Sequence, residues 1–259
     1  MDRFADRGWV RFPFDPALAA WANHANAAAV TAETEPENAT WLRCGGTWFV
    51  GVDALPNDAD GRLPGGPQLA GAAIRAARQV EDAPLHAAQA SVIYKGYPRQ
   101  GDDEDNAAFR FRARRDAAHV DGLHRIMPGR RRLLKERHAW ILGIPLNNCD
   151  AAPMTVWEGS HELMREALTR AYCGIAPAVW DTHDITEPYQ AARKRCFDTL
   201  KRVELRAKVG EAYLIHRLAL HGVAPWGESR EPGEGRRAIA YFRPELSAGA
   251  TSDAWLTAP

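Results

Sequence analysis

His119, Asp121 and His221 are the residues whose types and spacing carry the most chemistry in this chain. Two imidazoles and one carboxylate form the donor set that holds Fe(II) on one face and leaves its remaining positions open to exogenous ligands. His119 and Asp121 stand two residues apart in Ala118-His119-Val120-Asp121-Gly122. On an extended strand, residues i and i+2 project to the same side, so both reach one ion while Val120 faces the opposite layer. His221 comes far downstream, in the apolar run from Ala212 to Gly222. That run reads as a buried strand ending at Gly222, with the imidazole where strand meets loop. A lone His in an apolar stretch is usually a packed core residue, so the conjunction is the signal and no single member of it.

A basic strand, Arg236-Arg237-Ala238-Ile239-Ala240-Tyr241-Phe242-Arg243, follows. Its apolar centre implies burial, and a guanidinium out of water requires an anion. A bidentate contact to a carboxylate meets that need, with Arg236 the candidate and Arg237 its competitor. Alternatively both are loop-edge residues pairing with Glu228, Glu231 and Glu234.

The positioning elements are legible in part. Asp15 and Pro16 open an Ala-rich helix to about Val30, with Leu18, Trp21 and Ala22 as its apolar stripe. A strand and turn are expected over residues 41–52, a loop over 56–67, a second helix over 68–80 and a strand over Ala90–Tyr94. Residues 100–106 read as a solvated acidic loop, and the Phe-Arg alternation of 109–115 as a strand carrying one arginine face into His119. The basic cluster Arg130, Arg131, Arg132, Lys135 and Arg137 is most simply a solubilising loop. Strands over His138–Leu146 and Met154–Trp157 precede a helix from His161 to about Arg170, capped by Ser160. Residues 171–200 carry a helical stretch where an insertion could cover a metal. The architecture that accommodates this order is mainly β with flanking helices: a double-stranded β-helix, or jelly roll, of the cupin kind. One domain spans 1–259, with 1–85 an N-terminal elaboration and 90–245 the core.

Composition excludes several classes. Lys+Arg and Asp+Glu balance at 33 each, so no global field draws nucleic acid or an anionic membrane. The N-terminus lacks the apolar segment of a signal peptide and no run approaches a membrane span, which leads to the expectation of a cytoplasmic protein. Cys44, Cys149, Cys173 and Cys196 show no C-x-x-C spacing and read as reduced thiols.

Three segments in order resemble the phytanoyl-CoA dioxygenase family of Fe(II)/2-oxoglutarate oxygenases, a group that includes ectoine hydroxylase. They are Ala118–Gly122; Ala152-Pro153-Met154-Thr155-Val156-Trp157-Glu158-Gly159-Ser160-His161; and Gly210 through His216 and His221-Gly222 to Arg236. The matched region covers roughly residues 90–245. The resemblance implies that His119, Asp121 and His221 ligate iron and that Arg236 binds the distal carboxylate of 2-oxoglutarate. It further implies a reaction in which dioxygen decarboxylates 2-oxoglutarate to succinate and CO2 while a small-molecule substrate is hydroxylated. Asp121 argues for hydroxylation, since related halogenases lack this carboxylate. The chain departs from the family's pattern at Glu158, where Pro is usual, at Ala151-Ala152, and in the longer insertion from Gly227 to Gly235. Two other readings use the same residues: a zinc hydrolase with an activated water, and a non-catalytic jelly-roll binding module.

Overall fold

In the computed structural model, residues 2–102, 104–228, 235–247 and 253–258 are described. The N-terminal part contributes helices α1 (Asp2–Arg7), α2 (Pro16–Thr34) and α3 (Ala72–Val80) with strands β1 (Trp9–Phe12), β2 (Leu42–Arg43) and β3 (Trp48–Phe49). Then come β4 (Gln89–Tyr94), α4 (Asn106–Arg115), β5 (Leu123–Ile126), β6 (Arg131–Leu134), β7 (Trp140–Pro145) and β8 (Met154–Trp157). The remainder is α5 (Ser160–Ala171), α6 (Thr186–Thr199), β9 (Arg202–Leu205), β10 (Ala212–His216), β11 (His221–Val223), β12 (Arg236–Phe242) and α7 (Ala254–Thr257).

Two antiparallel sheets face each other. The larger has the order β1-β10-β7-β12-β4-β3-β2 and the smaller β11-β8-β9, with β5-β6 a separate hairpin. A backbone bridge between His119 and His221 extends the small sheet past β11. Side-chain alternation then sorts the core into three layers. Trp140, Leu142, Ala238, Ala240 and Phe242 point outward against Leu18, Trp21 and Ala22 of α2. Ile141, Tyr213, Ile215, Ile239 and Tyr241 point inward and meet Met154, Val156 and Leu205 of the small sheet. Trp157, Leu218, Leu220 and Val120 face a second helical layer made by α5 and α6. This is the jelly roll expected, with flanking helices on both sides. No helix among the described residues is long and apolar enough to cross a membrane.

Local chemistry accounts for the agreements. Asp15 Oδ1 accepts from the Ala17 N–H at 2.9 Å and Pro16 takes the first turn, so α2 starts where predicted. The Phe-Arg segment is a correction: residues 106–115 are helix α4, not a strand. Asp105 caps it by accepting from the Ala108 N–H at 2.8 Å, and Arg112 reaches back to Glu104 at 2.9 Å. Phe111 packs on Phe197 of α6, with the Arg193 guanidinium 4.6 Å from its ring centroid. An N-cap and these tertiary contacts override a period-two pattern only a few residues long.

Three smaller differences bear on the site. The run from Ala212 to Gly222 is two strands, β10 and β11, separated by a turn in which the Ala219 N–H donates to the His216 carbonyl at 2.8 Å. Ser160 does not cap α5 by its side chain; Gly159 holds the cap position, and Ser160 Oγ accepts from the Leu220 N–H at 2.8 Å. That bond ties the start of α5 to the residue before His221. The 171–200 segment supports the small sheet from outside: Tyr189 and Cys196 share a cluster with Val120 and Trp157, and Tyr189 OH accepts from the Val120 N–H at 3.3 Å.

Candidate metal centre

His119, Asp121 and His221 converge: one ligand atom from each lies within 4.8 Å of the others. His119 Nε2 is 3.1 Å and His221 Nε2 is 3.6 Å from Asp121 Oδ1. Donors about 2.1 Å from an ion and at right angles stand roughly 3 Å apart, so the carboxylate's separation from each imidazole suits neighbouring positions on one ion. Tautomers agree with that geometry. His119 Nδ1–H donates to the Ala117 carbonyl at 3.0 Å and His221 Nδ1–H to the Ala219 carbonyl at 2.9 Å. Each ring thereby aims its Nε2 inward, where loss of its proton to an incoming ion frees the lone pair, the arrangement second-sphere carbonyls impose on metal-binding imidazoles. The donor set fits a divalent cation.

The backbone explains why these residues meet. His119 lies on a two-residue bridge, its N–H donating to the His221 carbonyl at 2.8 Å and its carbonyl accepting from the His221 N–H at 3.0 Å. Asp121 is in the turn that follows and not in a strand, a correction to the regular strand expected there. The two-residue phasing survives, because Val120 packs with α6 while its neighbours face the interior. Gly122 closes the turn at φ +79°, and a Cβ there would stand 2.1 Å from the Glu136 carbonyl oxygen. A Cβ on Gly222 would stand 2.2 Å from the Asp116 carbonyl oxygen, which accepts from the Val223 N–H at 3.0 Å. Each glycine after a ligand is thus a point of close backbone approach. Asp116 is itself buried and accepts from Arg202 Nε at 2.6 Å, fastening the ligand loop to β9.

The charge balance is strong. Burial pushes the Asp121 carboxyl up, but His221 and Arg243 outweigh it and hold the group well below the ordinary carboxylate range. Asp121 therefore stays an anion, as a metal ligand must.

Arg236 is not in the interior. On β12 it shares the outward face with Ala238 and Ala240, and its guanidinium meets Glu33 of α2 at 2.5 Å and Asn26 at 2.9 Å. The Glu33 carboxylate, contributed by a helix over 200 residues away in sequence, selects that face. Of the acidic residues considered as alternatives, Glu231 and Glu234 lie outside the described residues, as does most of the 227–235 insertion. Arg237 has the opposite parity and lies 3% exposed on the face of Ile239 and Tyr241. Its Nη2 donates to Tyr213 OH at 3.5 Å, Tyr213 OH lies 3.0 Å from Tyr241 OH, and Arg237 Nη1 is buried without an acceptor. Across the sheet Arg237 pairs with Ile93, which packs in the same cluster as Val223, two residues beyond His221.

Sequence reasoning assigned no role to Arg243, whose Nη1 donates to Asp121 Oδ2 at 3.4 Å. The available signal was parity, since 237, 239, 241 and 243 share one face of β12. His216, which ends one of the segments carrying the resemblance, is buried against Phe4 and His161 and is not one of the three converging ligands.

No family model matches the chain, and no curated protein matches it. Solved structures do. The non-heme alpha-ketoglutarate-dependent carbocyclase SnoK from nogalamycin biosynthesis is 15% identical over 95% of this chain and 82% of its own, with a TM-score of 0.51. The epimerase SnoN in complex with Fe3+, alpha-ketoglutarate and nogalamycin RO is 15% identical over 95% and 81%, at 0.50. EctD from S. alaskensis with bound Fe is 15% identical over 95% and 75%, at 0.48. At such identities the likeness to SnoK and SnoN is one of fold, and by that fold this chain is a jelly roll whose His119, Asp121 and His221 meet around one cation-sized space.

Proposed function

We propose that this chain is an Fe(II)- and 2-oxoglutarate-dependent oxygenase that hydroxylates a small molecule. The observation that carries the reading is the pairing of an open three-ligand centre with a buried guanidinium in the same interior, its Nη1 lacking an acceptor among the described residues. An uncompensated charge out of water is costly, and a dicarboxylate that chelates a metal through one end presents its other carboxylate at about this depth. A zinc hydrolase has no need of a 2-oxo acid site, and a structural metal site closes with four protein ligands where this centre has three among the described residues. SnoK, an alpha-ketoglutarate-dependent enzyme, and SnoN, solved with alpha-ketoglutarate bound, support the same assignment.

His119, Asp121 and His221 would hold the iron, and Arg237, in place of Arg236, would take the distal carboxylate of 2-oxoglutarate. Burial holds the Tyr213 hydroxyl well above its ordinary range, so it remains a protonated donor beside that carboxylate. Ile141, Val156 and Ile239 wall the interior, exclude water and strengthen these contacts by lowering the local dielectric. Bound together, iron and 2-oxoglutarate supply the oxidation: dioxygen gives one atom to succinate, with loss of CO2, and the other to the substrate's C–H bond. The protein's part is to bind, orient and keep solvent out. Arg243 lies too close to Asp121 to stand across a five-carbon chain from the metal, which leaves Arg237 for that role.

Anaerobic titration of Fe(II) and 2-oxoglutarate tests the proposal. Wild type is expected to develop the weak visible charge-transfer band of the chelate, with His119→Ala giving none. Absence of the band in wild type overturns the assignment.

A further inference from the structure

We propose that Arg243 is a positioning residue of the metal centre: its guanidinium holds the outer oxygen of Asp121, so that this carboxylate offers the ion one oxygen and leaves the opposite positions open. The inference rests on reading His119, Asp121 and His221 as a metal centre.

The two oxygens of Asp121 have different surroundings. Oδ1 faces both imidazole Nε2 atoms, at 3.1 and 3.6 Å, whereas Oδ2 accepts from Arg243 Nη1 at 3.4 Å. A ligating carboxylate whose second oxygen is free can rotate into bidentate binding, and a three-ligand site then loses a position that a chelating cosubstrate or dioxygen requires. A cation on Oδ2 opposes that rotation. It also offsets part of the cost of burying Asp121, whose side chain is 8% exposed.

Arg243 is built into place. It directly follows β12, and its carbonyl accepts from His138 Nδ1–H at 2.8 Å. His138 Nε2 lies 2.9 Å from Glu136 Oε2, which also faces His124 Nε2 at 3.4 Å. The His138 hydrogen bond, above all, holds the Glu136 carboxyl down at about 2. The Ala139 N–H donates to the Pro244 carbonyl at 2.7 Å and the Leu246 N–H to the Arg137 carbonyl at 2.8 Å, fastening the chain just beyond it. The side chain has no such anchors: among the described residues Nε is buried without an acceptor, and the guanidinium's hydrogen bond is the one to Asp121. A rigid backbone aiming one guanidinium at one ligand oxygen is how second-sphere partners orient first-sphere donors.

Wild type, Arg243→Gln and Arg243→Lys, each loaded anaerobically with Co(II) without cosubstrate, provide the test. Metal affinity is read by titration, and coordination number and carboxylate mode by X-ray absorption. Arg243→Gln is expected to bind Co(II) about 10- to 100-fold more weakly and to gain an oxygen scatterer from a bidentate Asp121. Arg243→Lys, which keeps the charge and loses the fork, is expected to recover part of the affinity. Thermal melts of the apo-proteins check folding, and Arg243→Lys keeps the test decisive should the Gln variant melt early. A wild type that loads normally beside variants matching it in affinity and coordination overturns this inference alone. A wild type that takes up no metal overturns the metal-centre reading and this inference with it.

Discussion

The adjacent arginines of β12 make opposite predictions. Arg236 and Glu33 have side chains 13% and 9% exposed, and Glu33 also accepts from Tyr94 OH at 2.6 Å. Removing one partner of a buried pair typically costs 3–5 kcal/mol; with Tyr94 still in place, Arg236→Gln should cost about 2–3 kcal/mol. For a domain of this size that lowers Tm by roughly 4–12 °C. The KM for 2-oxoglutarate should stay within about twofold, because Arg236 never faces the interior. Arg237→Gln should do the reverse. It deletes a desolvated charge-assisted contact worth about 3 kcal/mol, raising KM for 2-oxoglutarate roughly 100-fold. It also removes a buried guanidinium for which the hydrogen bonds among the described residues provide no anionic partner, so the apo-protein Tm should hold or rise. Steady-state kinetics with succinate detection and scanning calorimetry on the two variants decide the matter. If Arg236→Gln raises the KM while Arg237→Gln leaves it unchanged, the facing of β12 and the role built on it are refuted.

Three further outcomes follow from the geometry. His119→Ala should weaken Fe(II) binding by more than about 100-fold, read by anaerobic titration, because a two-donor remnant cannot define a face of the ion; unchanged affinity would remove His119 from the ligand set. Gly222→Ala should cost about 1–3 kcal/mol in urea unfolding and weaken metal binding as well, since its Cβ meets the Asp116 backbone and no flexible side chain can yield; retention of both properties would contradict that close approach. Burial, together with Arg217, His161 and Arg165, keeps the His216 imidazole well below its ordinary value of 6.5, and burial likewise lowers His161. The unfolded chain therefore binds more protons below about pH 6.5, and stability should fall on acidification by up to about 1.4 kcal/mol per pH unit for each ring. His216→Asn, whose Oδ1 can take the place of the Nδ1 that accepts from the Leu218 N–H, should flatten that dependence in urea midpoints measured from pH 7.5 to 5.5; an equally steep curve would point to other groups.

Much of this protein was legible because some information is local. Asp15-Pro16 marks a helix start by capping chemistry alone, and the β-branched run at β4 marks a strand. The types of His119, Asp121 and His221 name a donor set before any fold is known, since ligand chemistry belongs to the side chain. What stayed hidden depends on partners remote in sequence. β12 is buried on both faces, so hydropathy shows no asymmetry to say which of two neighbouring arginines looks inward; Glu33 on α2 decides it. The Phe-Arg segment alternates like a strand, yet the Asp105 cap and the contacts with α6 make it helix. Ser160 reads as a cap and instead receives the Leu220 N–H, and Arg243 acquires a role only because folding carries Asp121 to the end of β12. Residue type therefore determined what chemistry was available, while tertiary packing decided which of several chemically equivalent side chains would face the metal, because only packing removes one face of a strand from water and pairs it with a charge.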